Sequence, residues 1–96
     1  MKLASKTMML DNALAALHRV LVITRHLAYQ GEAPENLARV LDDTEYLVAL
    51  LRHGDDDLAE FRTYLEDMGA RFPEFAGIAE DFDKANASAI HLPKTA

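Results

Sequence analysis

Two long stretches of this chain contain neither proline nor glycine, residues 2–30 and 35–53, and only Gly31, Glu32, Ala33 and Pro34 separate them. Within both, apolar residues recur every three or four positions, the period of a helix, rather than at the alternate positions of a strand. A chain that makes two helices of similar length with so short a joint must fold them back on each other. The pattern therefore predicts an antiparallel helical hairpin over about 7–30 and 34–53.

The ends of these stretches carry helix signals. In the first, Leu10, Leu14, Leu17, Leu21, Thr24 and Ala28 form one stripe, widened by Ala13, Val20 and Leu27. Gly31 suits the left-handed residue just past a helix end. Pro34 suits a first helical turn, where its missing N–H has no intrahelical partner to lose. Glu35 near the start of the second helix and Arg52 and His53 near its end complement the helix dipole. The second buried stripe reads Leu37, Val40, Leu41, Thr44, Leu47, Val48 and Leu51.

Two shorter helices are expected downstream, over 57–72 and 74–84. Asp57 and Glu60 are spaced as a capping box, and Leu58, Phe61, Leu65, Met68 and Phe72 form the apolar stripe that follows. Pro73 opens the last helix, with Phe75, Ile78, Ala79 and Phe82 inward. The fold class is thus all-α, a four-helix bundle in one domain over 1–85, with 86–96 a flexible tail. No internal repeat and no low-complexity segment stands out.

Composition removes several functions. With 96 residues and no cysteine, the chain has no disulfide framework, thiolate metal site or thiol nucleophile. The net charge of −6 argues against nucleic acid as a partner. It is the difference between a basic first segment and an acidic remainder. Residues 1–30 hold four basic residues and one acid, and residues 31–96 hold six and fifteen. Apolar runs such as Val20 to Ile23 are far short of the roughly 20 residues a membrane span needs. A cytoplasmic protein without a membrane partner is expected.

No motif for chemistry is complete, so no catalytic residue, metal ligand or cofactor is assigned. His18 and His26 are eight apart, too far to share a metal, and His53 reads as a helix-end residue. Asp55, Asp56 and Asp57 lack the alternation and central glycine of a calcium loop. Asp43 reads as a surface partner of Arg39, four residues before it. Glu45, at the border of the second stripe, is placed to meet His18 or Arg25 of the first helix, with Arg52 on the same flank. These four make a candidate polar cluster, structural in the first reading and acid–base chemistry in the alternative.

The first helix carries more apolar residues than one stripe needs. Ala16, Ile23 and Leu27 lie to one side, and Val22 and Tyr29 to the other. Tyr46 and Leu50 do the same on the second helix. This surplus is read as a candidate interface, and a two-fold homodimer is its commonest outcome. The leading functional reading is a non-enzymatic, self-associating protein–protein interaction module. The alternatives are an acidic, antitoxin-like inhibitor of a basic partner, and a small enzyme or ligand-binding protein using Glu45 with His18 and Arg25.

Three blocks, Leu17–Val22 with Ala28-Tyr29, Leu37–Leu47 containing Asp42-Asp43-Thr44-Glu45-Tyr46, and Phe61-Arg62 with Arg71–Phe75, resemble a family of small uncharacterised bacterial all-helical proteins. Some of that family travel on mobile, integron-type gene cassettes. The resemblance spans about residues 10–83. It implies a helical fold and no assigned activity, and it transfers no functional residue.

Overall fold

The structure is a computed structural model and describes residues 6–52 and 58–90. Its described residues form four helices and no strand: α1 (Lys6–Tyr29), α2 (Pro34–Arg52), α3 (Leu58–Arg71) and α4 (Ile78–Ile90). The contacts run α1–α2, α2–α3, α3–α4 and α4–α1, so the helices close into a ring around one core. This is the four-helix bundle that the patterning predicts.

The hairpin turn is set by backbone hydrogen bonds at the end of α1. The N–H of Glu32 donates to the Leu27 carbonyl, and the N–H of Gly31 to that of Ala28. Gly31 sits at φ +84°, where a side chain would be strained. This is the Schellman arrangement, and it stops α1 and reverses the chain. The expected capping role of Asp57, with Asp55 and Asp56, lies outside the described residues, as does His53.

The fourth helix differs from expectation at both ends. Residues Pro73–Phe75 form a 3-10 turn, Ala76 is extended, and Gly77 takes φ +93° before α4 begins at Ile78. The chain needs this bend because Gly69 of α3 lies under Ala76. A β-carbon on Gly69 would come within 3.2 Å of the Ala76 α-carbon. At its other end α4 runs to Ile90 instead of stopping at 84, so residues 86–90 are helix and not tail. Asn12 of α1 donates from Nδ2 to Oδ1 of Asn86 at 2.8 Å, tying this extension to the bundle. Residues 91–96 lie outside the described residues.

The core centre is supplied by the short helices. Phe61, Phe75, Leu65, Met68 and Ile78 are fully buried against Val20, Val40 and Leu47. Phe61 and Phe82 meet edge-on with ring centroids 5.6 Å apart, a favoured aromatic geometry. Opposite them α1 turns Ala13, Ala16, Leu17, Val20, Thr24 and Leu27 inward. The expected stripe is therefore rotated. Leu14 and Leu21 on α1, and Leu41 and Val48 on α2, are 38–51% exposed.

Phe61 is the test of this account of the core. Phe61→Ala leaves a cavity among Phe82, Leu65 and Met68 and should cost about 3–5 kcal/mol. A urea midpoint shifted by a smaller amount, about 1 kcal/mol or less, would show that the aromatic centre does not set the packing.

Candidate functional site

The inward positions of α1 and α2 fix where their other faces point. On α1, Asn12, Ala16 and Arg19 border α4: Asn12 bonds Asn86, and Arg19 pairs with Asp81 at 2.5 Å. The opposite flank of α1, carrying Leu14, His18, Leu21 and Arg25 at spacings of four, three and four, is therefore the one beside α2. On α2, Asp43 and Tyr46 border α3. Its opposite flank carries Leu41, Glu45, Val48 and Arg52 at the same spacings and lies beside α1. Both flanks open on the outer side of the hairpin, away from α3 and α4.

All eight of these side chains are exposed. Leu41, Glu45, Val48 and Arg52, with Thr44 and Ala49, line an open depression on α2. The structure leaves His18, Arg25, Glu45 and Arg52, the sequence-predicted cluster, exposed on the two hairpin helices. It does not join them: among the described residues no ion pair within 4.0 Å links any two of the four. The charges alternate with leucine and valine in rows of four.

The other three edges of the bundle are closed by arginine–aspartate pairs. Arg19–Asp81 spans α1 and α4, Arg62–Asp83 spans α3 and α4 at 2.8 Å, and Arg71–Asp43 spans α2 and α3 at 2.9 Å. Among the described residues the α1–α2 edge has no such pair. The exposed pairs contribute little, about 0–1 kcal/mol each. Among the described residues, His18, Arg25, Glu45 and Arg52 on the hairpin are in none of these pairs.

The candidate interface residues from the sequence fall in three places. Ala16, Leu27 and Leu50 are buried in the core, and Ile23 is half-buried and packed against it. These four are used within the protomer. Val22 and Tyr29 are exposed. Tyr46 lies beside α3: its ring centroid is 4.7 Å from that of Tyr64, and its hydroxyl donates to Glu60. The exposed apolar surface also includes Leu14, Leu21, Leu41 and Val48, which the sequence stripes place inside.

Asp43 is a residue whose setting the sequence reading missed. It is buried, accepts a hydrogen bond from the Tyr64 hydroxyl at 2.6 Å, and pairs with Arg71 rather than Arg39. Arg71 also lies over the Tyr64 and Phe72 rings, 5.8 and 5.7 Å from their centroids. The signal was present: Asp43 stands three residues after Val40 and four before Leu47, on the buried stripe. A charge at such a position requires partners.

No family model, no curated protein and no solved structure matches this chain. Among the described residues no helix is long and apolar enough to cross a membrane. No group of three or more histidine, aspartate or glutamate side chains is placed to hold a metal ion, again among the described residues.

The Tyr64 phenol provides a readout for the α2–α3 contact. Donation to the Asp43 carboxylate, then burial, holds it above the ordinary tyrosine value of 10.0. A raised value means that the fold favours the neutral phenol. That contribution is complete below about pH 10 and disappears as pH rises through the folded value. Asp43→Ala should bring the Tyr64 titration, followed by phenolate absorbance, down toward 10 and cost about 1–3 kcal/mol of stability. An unchanged titration would show that the carboxylate does not hold the phenol.

Proposed function

We propose that this protein is a non-enzymatic helical interaction module that works by self-association, with the outer face of the α1–α2 hairpin as its docking surface and a second copy of the chain as its occupant. The observation that carries the reading is the exposed row of Leu14, Leu21, Leu41 and Val48 interleaved with His18, Arg25, Glu45 and Arg52. Exposed apolar surface of this extent, bordered by polar groups, commonly serves as an interface.

Area and charge favour a second copy. Two helices of this length side by side present a face of about 28 by 20 Å. Pairing two such faces buries on the order of 1,100 Å² in all, above the roughly 1,000 Å² that a specific interface needs. The face carries both signs of charge, so it can complement itself. Burying the exposed halves of the four apolar side chains contributes about 1 kcal/mol apiece.

The acidic-binder alternative is less well supported. Much of the acid on α3 and α4 already has an internal partner: Asp81 pairs with Arg19, Asp83 and Glu66 with Arg62, Asp67 with Arg71, and Glu80 with Lys84.

Sedimentation equilibrium at tens of micromolar distinguishes these outcomes. The native chain should sediment as a dimer, and Leu21→Glu as a folded monomer with unchanged helicity. Ala70→Glu, exposed on α3 and off the hairpin, should remain dimeric. A monomeric native chain, or equal behaviour of the two variants, would remove the reading.

A further inference from the structure

The docking face has a hidden symmetry. Leu14, Leu21 and Arg25 of α1 are matched by Leu41, Val48 and Arg52 of α2, each 27 positions later, and Leu10 is matched in the same way by Leu37. Since the helices are antiparallel, this offset relates the two rows by a pseudo-two-fold axis normal to the face. The same offset pairs Val20 with Leu47 and Ile23 with Leu50 in the core, but Asn12 with Arg39 and Arg19 with Tyr46 do not correspond, so the chain does not read as a repeat. On the docking face the correspondence breaks at the centre. There the equivalent positions are His18 and Glu45, a base and an acid.

The turn places these two side by side. Residues of α1 and α2 lie level when they are equally far from the centre of the turn, between Gly31 and Glu32. By that measure His18 is level with Glu45, Leu21 is level with Asp42, one residue from Leu41, and Leu14 is level with Ala49, one residue from Val48.

A symmetric pair of such faces has two ways to meet. If the two-fold axis runs along the helices, α1 lies over α2 of the second copy at the same height. His18 then faces Glu45 of the second copy, twice. If the axis runs across the helices, α1 lies over α1 and α2 over α2. His18 then faces His18, and Glu45 faces Glu45. The apolar residues meet apolar residues in both arrangements. Asp11 comes level with an arginine in both as well, Arg52 in the first and Arg25 in the second. The central pair is what distinguishes them, and two carboxylates in contact are unfavourable.

We infer that the second copy docks with its α1 over α2, the two-fold axis along the helices, and that His18 and Glu45 are the residues that specify this arrangement. The inference rests on the self-association proposed above. Charge pairs of this kind add little to raw affinity and act mainly by penalising the wrong register. The pairing is therefore a specificity device on a surface whose apolar rows would accept either arrangement.

The absence of cysteine from the sequence makes the test direct. His18→Cys and Glu45→Cys are prepared separately in the full chain, then mixed and oxidised mildly. In the mixed dimer one cysteine pair is in reach of a disulfide while the other His18–Glu45 contact stays intact. Covalent dimer should form in the mixture and not in either variant alone. Covalent dimer in each variant alone would overturn the arrangement while leaving self-association standing. The same holds if no sample cross-links although both variants sediment as dimers. Monomers throughout, in the native chain as well, would remove the self-association reading itself.

Discussion

The rotation of α1 about its own axis determines the rest of this structure. The short helices α3 and α4, with the turn between them, place Phe61, Phe75, Phe82, Met68 and Ile78 at the centre. Close packing fixes which side chains of the long helix fit opposite them. The long helix turns Ala13 and Ala16 inward, with Leu17, Val20 and Leu27 beside them. Leu14 and Leu21 are carried outward by the same rotation. The exposed apolar row is thus a direct result of how the core is filled.

Electrostatics follows the same division. Three edges of the ring are joined by an arginine from one helix and an aspartate from the next. Of these, Asp43 is the pair member that is buried, held by Tyr64 and Arg71, and removing its partners would leave an uncompensated charge. The fourth edge, between the two long helices, is held by packing and by the turn at Gly31. Its outer charges remain available to something outside the protomer. A surface that pairs apolar rows with unmatched charges of both signs suits a partner of the same kind.

Much of this fold is legible in the sequence. The two proline- and glycine-free stretches, the glycine after the first and the proline opening the second dictate the hairpin. Periodicity identifies α3 and the inward residues of α4. What periodicity cannot supply is the rotation of a helix that is apolar on most of its circumference. Leu14 and Ala13 differ by one position, and only the volume offered by α3 and α4 decides which turns inward. The same ambiguity hides Asp43, which lies on the buried stripe but resembles a surface acid beside Arg39. The bend at Ala76 and Gly77 escapes for a different reason: it answers a close approach to Gly69, a contact between elements and not a local preference. The exposure of His18, Arg25, Glu45 and Arg52 follows from their polarity and spacing. Their leucine and valine neighbours are misread because the core seemed to need them.

The central claim is that the outer face of the α1–α2 hairpin is the surface by which this chain meets its own kind. Methyl resonances of the intact protein followed through a dilution series test it most directly. The account predicts concentration-dependent shifts at Leu14, Leu21, Leu41 and Val48, with core methyls such as those of Leu47, Leu65 and Ile78 unmoved. Shifts confined to α3 and α4, or no shift at any concentration up to the millimolar range, would contradict it.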